Sequence, residues 1–282
     1  MLKTQTRSSM GIIGTIAELV LIAAIAATIV PILWMVALSF QPLKNIIGAD
    51  IVAGFSLSNY TDLLSPGNPL LAQLGNSLVI VVGTVLLCLV FGSLAGYALS
   101  QLVIPRAVLL PLLALTAFIP LIPPMVLVPG LYATMSSFGL IGGTLGLVIL
   151  NTVFQLPFAA LLMKVYFDGL PATLREAALI DGASEATAFR SVMLPLVKPG
   201  LASVGTFTGI MAWNEFLFGL TMTSGGVTAP LTVGIASLVQ PFEVAWGQMA
   251  AAGTLAAIPI IVITIIANRY IVAGLTAGAV KG

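Results

Sequence analysis

The polar side chains that could act on a solute are few, and they lie inside apolar stretches. Glu215, next to Asn214, falls about 14 residues past Leu201, roughly 21 Å along a helix. A carboxylate at that depth of an apolar span is costly, and it faces a bundle interior or a cavity. Two readings stand: a residue lining or gating a polar path, or a structural hydrogen bond to a neighbouring span or another subunit. Asn151 and Gln155, one helical turn apart, are candidates for the same path. Beyond hydrogen bonding the chain offers little chemistry. It has no histidine, which excludes imidazole acid–base catalysis and His-ligated metals. Its single cysteine, Cys88, lies in an apolar run, where it reads as a small buried hydrophobe rather than a disulfide or thiolate ligand. No Gly-x-x-x-x-Gly-Lys-[Ser/Thr] occurs, so the chain does not cradle nucleotide phosphates itself. No catalytic residue, metal or bound cofactor is expected.

The elements that position these residues are membrane spans. The 282 residues are 59% hydrophobic and 7% charged, against about 25% charged in ordinary soluble chains. Mean hydropathy is +1.16. A net charge of +1 leaves no footprint for nucleic acid. The N-terminal apolar run follows Lys3 and Arg7 and continues to Phe40, past the ~7–15 residues of a signal core. It reads as an uncleaved first span, with Glu18 near its start at the headgroup boundary. Six apolar segments are expected as spans: 16–40, 76–100, 106–128, 140–166, 201–221 and 248–270. No charge appears between Arg106 and Lys164. As one helix that run would extend roughly 85 Å, against a hydrocarbon core about 30 Å thick. It must turn back, and Pro120, Pro123, Pro124, Pro129-Gly130, Gly139 and Gly142-Gly143 supply the punctuation. The fold class is therefore an all-α polytopic bundle of about six spans, a single transmembrane domain over 1–282 with its core at roughly 72–270.

With both termini inside, Lys3, Arg7, Arg106, Lys164, Arg175, Arg190, Lys198, Arg269 and Lys281 all face the cytoplasm, and only Lys44 lies outside. That asymmetry obeys the positive-inside rule. Asp50, Asp62 and Glu243 fall on the outer side. Trp246 and Tyr132 suit the interfacial belt, and a short helix is expected near 231–239. The loop 167–200 is inside and carries much of the charge. Pro171 suits a first helical turn, Gly182 a left-handed closing residue, Ser184 a second N-cap, and Pro195 a limit to the second helix. A helix–turn–helix on the cytoplasmic face results. Leu174, Ala177, Ala178 and Asp181 share one face of its first arm, and Phe189 is an apolar anchor on its second.

The same loop carries a resemblance. Glu176-Ala177-Ala178, three residues, Gly182, nine residues, Val192, one residue and Leu194-Pro195 resembles the signature loop of ABC importer permeases, with Val192 standing where Ile is commoner. The likeness covers nearly the whole chain and is nearest to the maltose-type carbohydrate permeases. Asn76-Ser77 with Gly96-Tyr97-Ala98-Leu99-Ser100, then Ala212-Trp213-Asn214-Glu215-Phe216, and residues 272–282 carry it as well. Gln101 departs, standing where relatives often have Arg. The resemblance implies a multi-pass subunit of a prokaryotic inner membrane. Its partners would be a second permease, making a heterodimer, two cytosolic ATPases holding ATP and Mg, an extracytoplasmic solute-binding protein, and lipid. It implies ATPase coupling through Glu176, Ala177, Ala178, Asp181, Gly182, Phe189, Leu194 and Pro195. Thr276, Gly278 and Lys281, just beyond the last span on the ATPase side, are expected as a tail at the ATPase interface; on the path-lining reading of Glu215, it and Asn214 hydrogen-bond a polyol. A non-sugar solute, and an ion-coupled secondary transporter, remain the alternatives.

Overall fold

The computed structural model describes residues 12–48, 54–242 and 244–279. Lys3, Arg7, Asp50, Glu243 and Lys281 lie outside the described residues. Among the described residues every regular element is helical, and one isolated antiparallel bridge pairs Val239 with Val244. In chain order the helices are α1 (Ile12–Ser39), α2 (Leu43–Ile47), α3 (Ser58–Leu63), α4 (Leu70–Gln101), α5 (Arg106–Phe118), α6 (Pro124–Ser137) and α7 (Thr144–Asp168). After these come α8 (Ala172–Ile180), α9 (Glu185–Thr187), α10 (Leu194–Leu196), α11 (Lys198–Trp213), α12 (Leu217–Met222), α13 (Leu231–Ala236) and α14 (Trp246–Ala279).

Four described helices are long and apolar enough to cross a membrane: Gly14–Ser39, Leu70–Gln101, Thr144–Asp168 and Trp246–Ile265. The other two expected segments are interrupted. The 106–128 stretch divides into α5, a 3₁₀ turn at Ile119–Leu121, and α6. Ile122 is extended (ψ 120°), and so is Pro123 (ψ 122°), as residues preceding a proline must be. Pro124 then opens α6 at a position where a missing N–H costs nothing. Pro129, read as a breaker, lies inside α6. The chain reverses later, at Gly139 (φ +67°) and Gly142 (φ +85°). The 201–221 segment breaks at Asn214–Phe216, between α11 and α12.

The chain forms two compact units. One comprises the described parts of Met1–Ser65 and Leu238–Leu255. Here α1 exposes Ile16, Leu19, Val20, Leu21 and Ile22, the all-round apolar surface of a helix solvated by lipid or by another apolar helix. Its end is pinned by Asn59 on α3, whose amide donates to the carbonyls of Ser39 (3.0 Å) and Gln41 (2.9 Å). The Tyr60 hydroxyl meets Ser39 Oγ at 2.8 Å.

The other unit comprises Pro66–Ser237 and the described part of Ala256–Gly282. Its centre is the crossing of α4 and α7. A Cβ on Gly83 would lie 3.0 Å from Val148, and one on Gly92 3.0 Å from Ala159. At Gly96 it would lie 2.6 Å from Met163 Cβ and 2.8 Å from the Lys164 amide. The contacts advance in step, so the two helices run in the same direction, and small residues set their separation. On α11, Gly205 faces Leu89 and Val85 while Gly209 faces Val85 and Val81, so α11 runs antiparallel to α4. Cys88, Tyr97, Ala159, Met163, Phe167, Met193, Val197 and Val204 form a core at one end of these helices. Ile80, Met135, Leu147, Val148, Leu150, Phe218 and Met222 form a second at the other. Gly96→Val is expected to force α4 and α7 apart, at a cost of about 1–3 kcal/mol or more. Gly75→Ala on the same helix, with nothing within 4 Å of the new Cβ, should leave the protein as stable as wild type. Thermal unfolding of the detergent-solubilised variants separates the two; equal transition temperatures would contradict the close crossing.

Candidate functional site

The helix–turn–helix closes by backbone chemistry that Gly182 makes available. Pro171 is the N-cap of α8 rather than its first helical residue. At the other end Gly182 takes φ +85°. Its N–H donates to the Leu179 carbonyl (3.1 Å), and the Ala183 N–H donates to the Ala178 carbonyl (3.0 Å). These are the two bonds of a Schellman closure, which satisfies carbonyls that a helix end leaves orphaned. Two residues later Ser184 caps α9, its hydroxyl accepting from the Thr187 N–H at 3.3 Å. The second arm passes Pro195 instead of stopping there. It widens into a π-helical turn at Ala188–Met193, runs through α10, and breaks at Val197 (ψ 21°). Pro195 has no N–H for the carbonyl four residues back and its ring crowds that carbonyl; the wider turn accommodates both.

Three side chains join the arms to the spans. Arg175 on α8 reaches Glu185 on α9 with two bonds, Nε to Oε1 at 2.7 Å and Nη2 to Oε2 at 2.8 Å. The Tyr97 hydroxyl, from α4, donates to the same Oε1. The guanidinium fork holds the Glu185 carboxyl below the usual carboxylate range, and the carboxylate in turn raises Arg175 further above its own. The Tyr97 ring lies edge-on to Phe167 at 5.4 Å and against Phe189 at 4.9 Å. Phe189, half-buried against this core, anchors the second arm, with Leu194 beside it. Gln101 donates to the Phe167 carbonyl at 3.3 Å, at the end of α7.

Sequence spacing alone placed Leu174, Ala177, Ala178 and Asp181 on one face, but the structure divides them. Leu174 and Ala178 are half-buried toward the core, while Ala177 and Asp181 are exposed. The half-buried side carries Leu174, Ala178 and Leu179 together with Arg175, which meets Glu185 there. The outward face is therefore Glu176, Ala177, Ile180 and Asp181. Ile180 is 86% exposed. It is the large apolar side chain of that face, and its type beside Asp181 was legible in the sequence. Arg175, Glu185 and Tyr97 carried no spacing signal, since Tyr97 is 88 residues from its partner.

Among the described residues, the polar side chains of the spans do not converge on one contact. Asn151 is 3% exposed and donates to the Leu147 carbonyl at 2.9 Å. Gln155 donates to Asn151 Oδ1 at 3.4 Å. Among the described residues, Gln155 Oε1 and Thr84 Oγ1 are buried without a hydrogen-bond partner. Asn214 and Glu215 build the break between α11 and α12. The Asn214 side chain is exposed, and its amide donates to the Ile210 carbonyl at 2.8 Å, closing α11. Both Glu215 oxygens are taken by backbone: Oε1 accepts from Phe218 N–H (2.6 Å) and Oε2 from Gly219 N–H (3.0 Å). The Thr232 hydroxyl donates to the Glu215 carbonyl at 2.7 Å. Trp213 Nε1 donates to the Ala256 carbonyl at 3.1 Å. The carboxylate is thus held within its own segment, not by a neighbouring span as the structural reading of the sequence supposed. Thr276 and Gly278 lie in the last turns of α14, and Lys281 lies outside the described residues.

Glu215→Ala should therefore leave the Phe218 and Gly219 amides unpaired. A lost cap costs about 1 kcal/mol, and up to about 2 in the strongest cases. Glu215→Gln retains one acceptor oxygen and should lose less. The order wild type, Gln, Ala in thermal stability checks this; an alanine variant as stable as wild type would show that the cap is dispensable.

Comparison with known proteins agrees with this architecture. The sequence profile of the family "binding-protein-dependent transport system inner membrane component" matches residues 88–277. The chain is 34% identical to the trehalose transport system permease protein SugB of Mycobacterium tuberculosis, over 90% of this chain and 93% of that protein. It is also 34% identical to the trehalose/maltose transport system permease protein MalG of Thermococcus litoralis, over 94% and 96%. Among solved structures it shares the fold of a bacterial ABC transporter involved in the import of the acidic polysaccharide alginate. The TM-score is 0.78 at 22% identity, covering 93% of this chain and 98% of that one. By sequence match over most of its length, this chain belongs to the family of inner-membrane components of binding-protein-dependent transport systems.

Proposed function

We propose that this chain is the permease subunit of an ATP-driven importer for a sugar or sugar-like solute, coupled to cytosolic ATPases through its 171–197 helix–turn–helix. The observation that carries the coupling role is the outward face of α8, where Glu176, Ala177, the bare Ile180 and Asp181 stand clear of the chain's own core. The half of that helix that meets the body is already committed to Glu185 and to the Leu174 packing. An ATPase binds ATP and Mg on its own subunit, and the permease receives the displacement. Both termini then lie in the cytoplasm, with a binding protein delivering solute from the opposite side and a second permease completing the path. The sugar assignment draws on relatives named for trehalose and for trehalose and maltose. Asn214, whose side chain is exposed, offers an amide to solute hydroxyls, while Glu215 shapes the backbone break beside it; Asn151 is buried on the Leu147 carbonyl and holds Gln155 in turn. The last turns of α14, with Thr276 and Gly278, lead toward the ATPase side.

The test is ATP hydrolysis by the complete complex in proteoliposomes, with binding protein loaded with trehalose, maltose or an amino-acid control. Stimulation by a loaded disaccharide is expected, and stimulation by the amino acid alone would overturn the sugar reading. Gly182→Val should uncouple the same complex. A Cβ there meets nothing within 4 Å, so the penalty is the left-handed backbone, on the order of 1–2 kcal/mol. Gly182→Asn, which tolerates that conformation, should retain function, and truncation before Thr276 should reduce transport without preventing membrane insertion. Wild-type hydrolysis and ATPase co-purification in Gly182→Val would contradict coupling through this turn.

A further inference from the structure

Tyr97 follows Gly96, the residue at which α4 and α7 approach most closely, and it is 4% exposed. One carboxylate oxygen, Glu185 Oε1, receives both the Tyr97 hydroxyl and Arg175 Nε. A single acceptor thus ties together α4, α8 and α9. The ring contacts to Phe167 and Phe189 would survive in a phenylalanine; the hydroxyl adds a directional bond to an ionised group, which is stronger and more orienting than a neutral one. Without it the Arg175–Glu185 fork would still join α8 to α9. Neither arm would then be fastened by a side-chain hydrogen bond through Glu185 to α4. The fork itself is partly open to solvent, with side-chain exposures of 23% for Arg175 and 39% for Glu185, so on its own it contributes modestly. Its value lies in what it is attached to.

We propose that Tyr97 is a positioning residue: by sharing the Glu185 carboxylate with Arg175 it fastens α8 to α4, so that displacement of α8 is delivered to the membrane-length helices instead of being absorbed in the loop. This rests on the reading of α8 as the ATPase-docking arm. The core around Tyr97 supports it, because Met163 and Phe167 of α7, Met193 and Val197 of the second arm, and Val204 of α11 pack in one cluster. A force on α8 therefore meets a packed cluster through Leu174, and among the described residues the Tyr97 hydroxyl is the hydrogen bond that ties the fork to α4.

The experiment uses the assembled transporter in proteoliposomes, with the disaccharide that stimulates wild-type hydrolysis most. Solute imported per ATP hydrolysed is measured beside ATPase co-purification. Tyr97→Phe should retain the ATPase subunits, since the hydroxyl lies away from the outward face. Its transport per ATP should fall roughly tenfold, the scale of one lost hydrogen bond to a charged group. Glu185→Gln, whose amide oxygen still accepts from Tyr97 but whose NH2 faces the Arg175 Nη2 donor, opens the fork and should lose coupling at least as much as Tyr97→Phe. A wild-type ratio in Tyr97→Phe would overturn the proposal. So would a drop matched by equal loss of ATPase association, which would make Tyr97 merely structural. If the wild-type complex itself fails to respond to loaded binding protein, the docking reading fails first, and that outcome is distinct from a normal wild type with a normal Tyr97→Phe.

Discussion

The absence of a side chain at Gly96 governs the unit that carries the candidate site. There the Met163 Cβ and the Lys164 backbone would stand 2.6 and 2.8 Å from any Cβ added to Gly96, so α4 and α7 touch backbone to backbone. In lipid, where apolar burial gives little net drive, such close packing of small residues is what holds helices together. The consequence reaches beyond the crossing. It places Tyr97 beside Phe167, and together they form the floor on which Phe189, Leu174 and Leu194 rest. The helix–turn–helix is thus built on the ends of two joined helices rather than suspended between them.

A second constraint is the satisfaction of backbone groups where helices break. Irregular backbone at membrane depth persists only when protein supplies its hydrogen bonds. At the α11–α12 break Asn214 returns a bond to α11 and Glu215 caps α12. The excursion after α12 is held in the same manner from one face of α4. Gln73 donates to the Gly226 carbonyl (2.9 Å), and Asn76 to the Val227 (2.8 Å) and Ala229 (3.0 Å) carbonyls. Ser77 Oγ accepts from the Leu231 N–H at 2.8 Å. These three positions, spaced i, i+3 and i+4, form a polar stripe within a hydrophobic helix. Asn76-Ser77 and Trp213-Asn214-Glu215, met in the sequence as marks of kinship, are physically devices for holding broken backbone.

What was legible in the sequence followed from strong local rules. The all-helical membrane character came from composition, and the left-handed residue at Gly182 and the cap at Ser184 came from turn and capping chemistry. Less legible was anything depending on tertiary context. Pro129 and Pro195 looked like stops, yet α6 continues through the first and a π-helical turn accommodates the second. The helix near 231–239 ends at Ala236. The face of α8 shared by Leu174, Ala177, Ala178 and Asp181 lies at the edge of the buried side, half-buried at Leu174 and Ala178 and exposed at Ala177 and Asp181, a rotation that spacing alone does not give. Glu215 drew attention as an intramembrane charge, but its partners are amides three and four residues on, a local cap that burial alone does not reveal.

In the proposed coupling the outward face of α8 meets an ATPase in the cytoplasm. This contact can be examined directly with Ile180→Cys, since Ile180 is 86% exposed and the native Cys88 is fully buried. A membrane-impermeant maleimide is applied to inside-out vesicles, with and without the ATPase subunits. Rapid labelling is expected in vesicles stripped of ATPase, and protection when the ATPase is restored. Labelling only from the outer face of intact cells, or labelling indifferent to the ATPase, would contradict this contact.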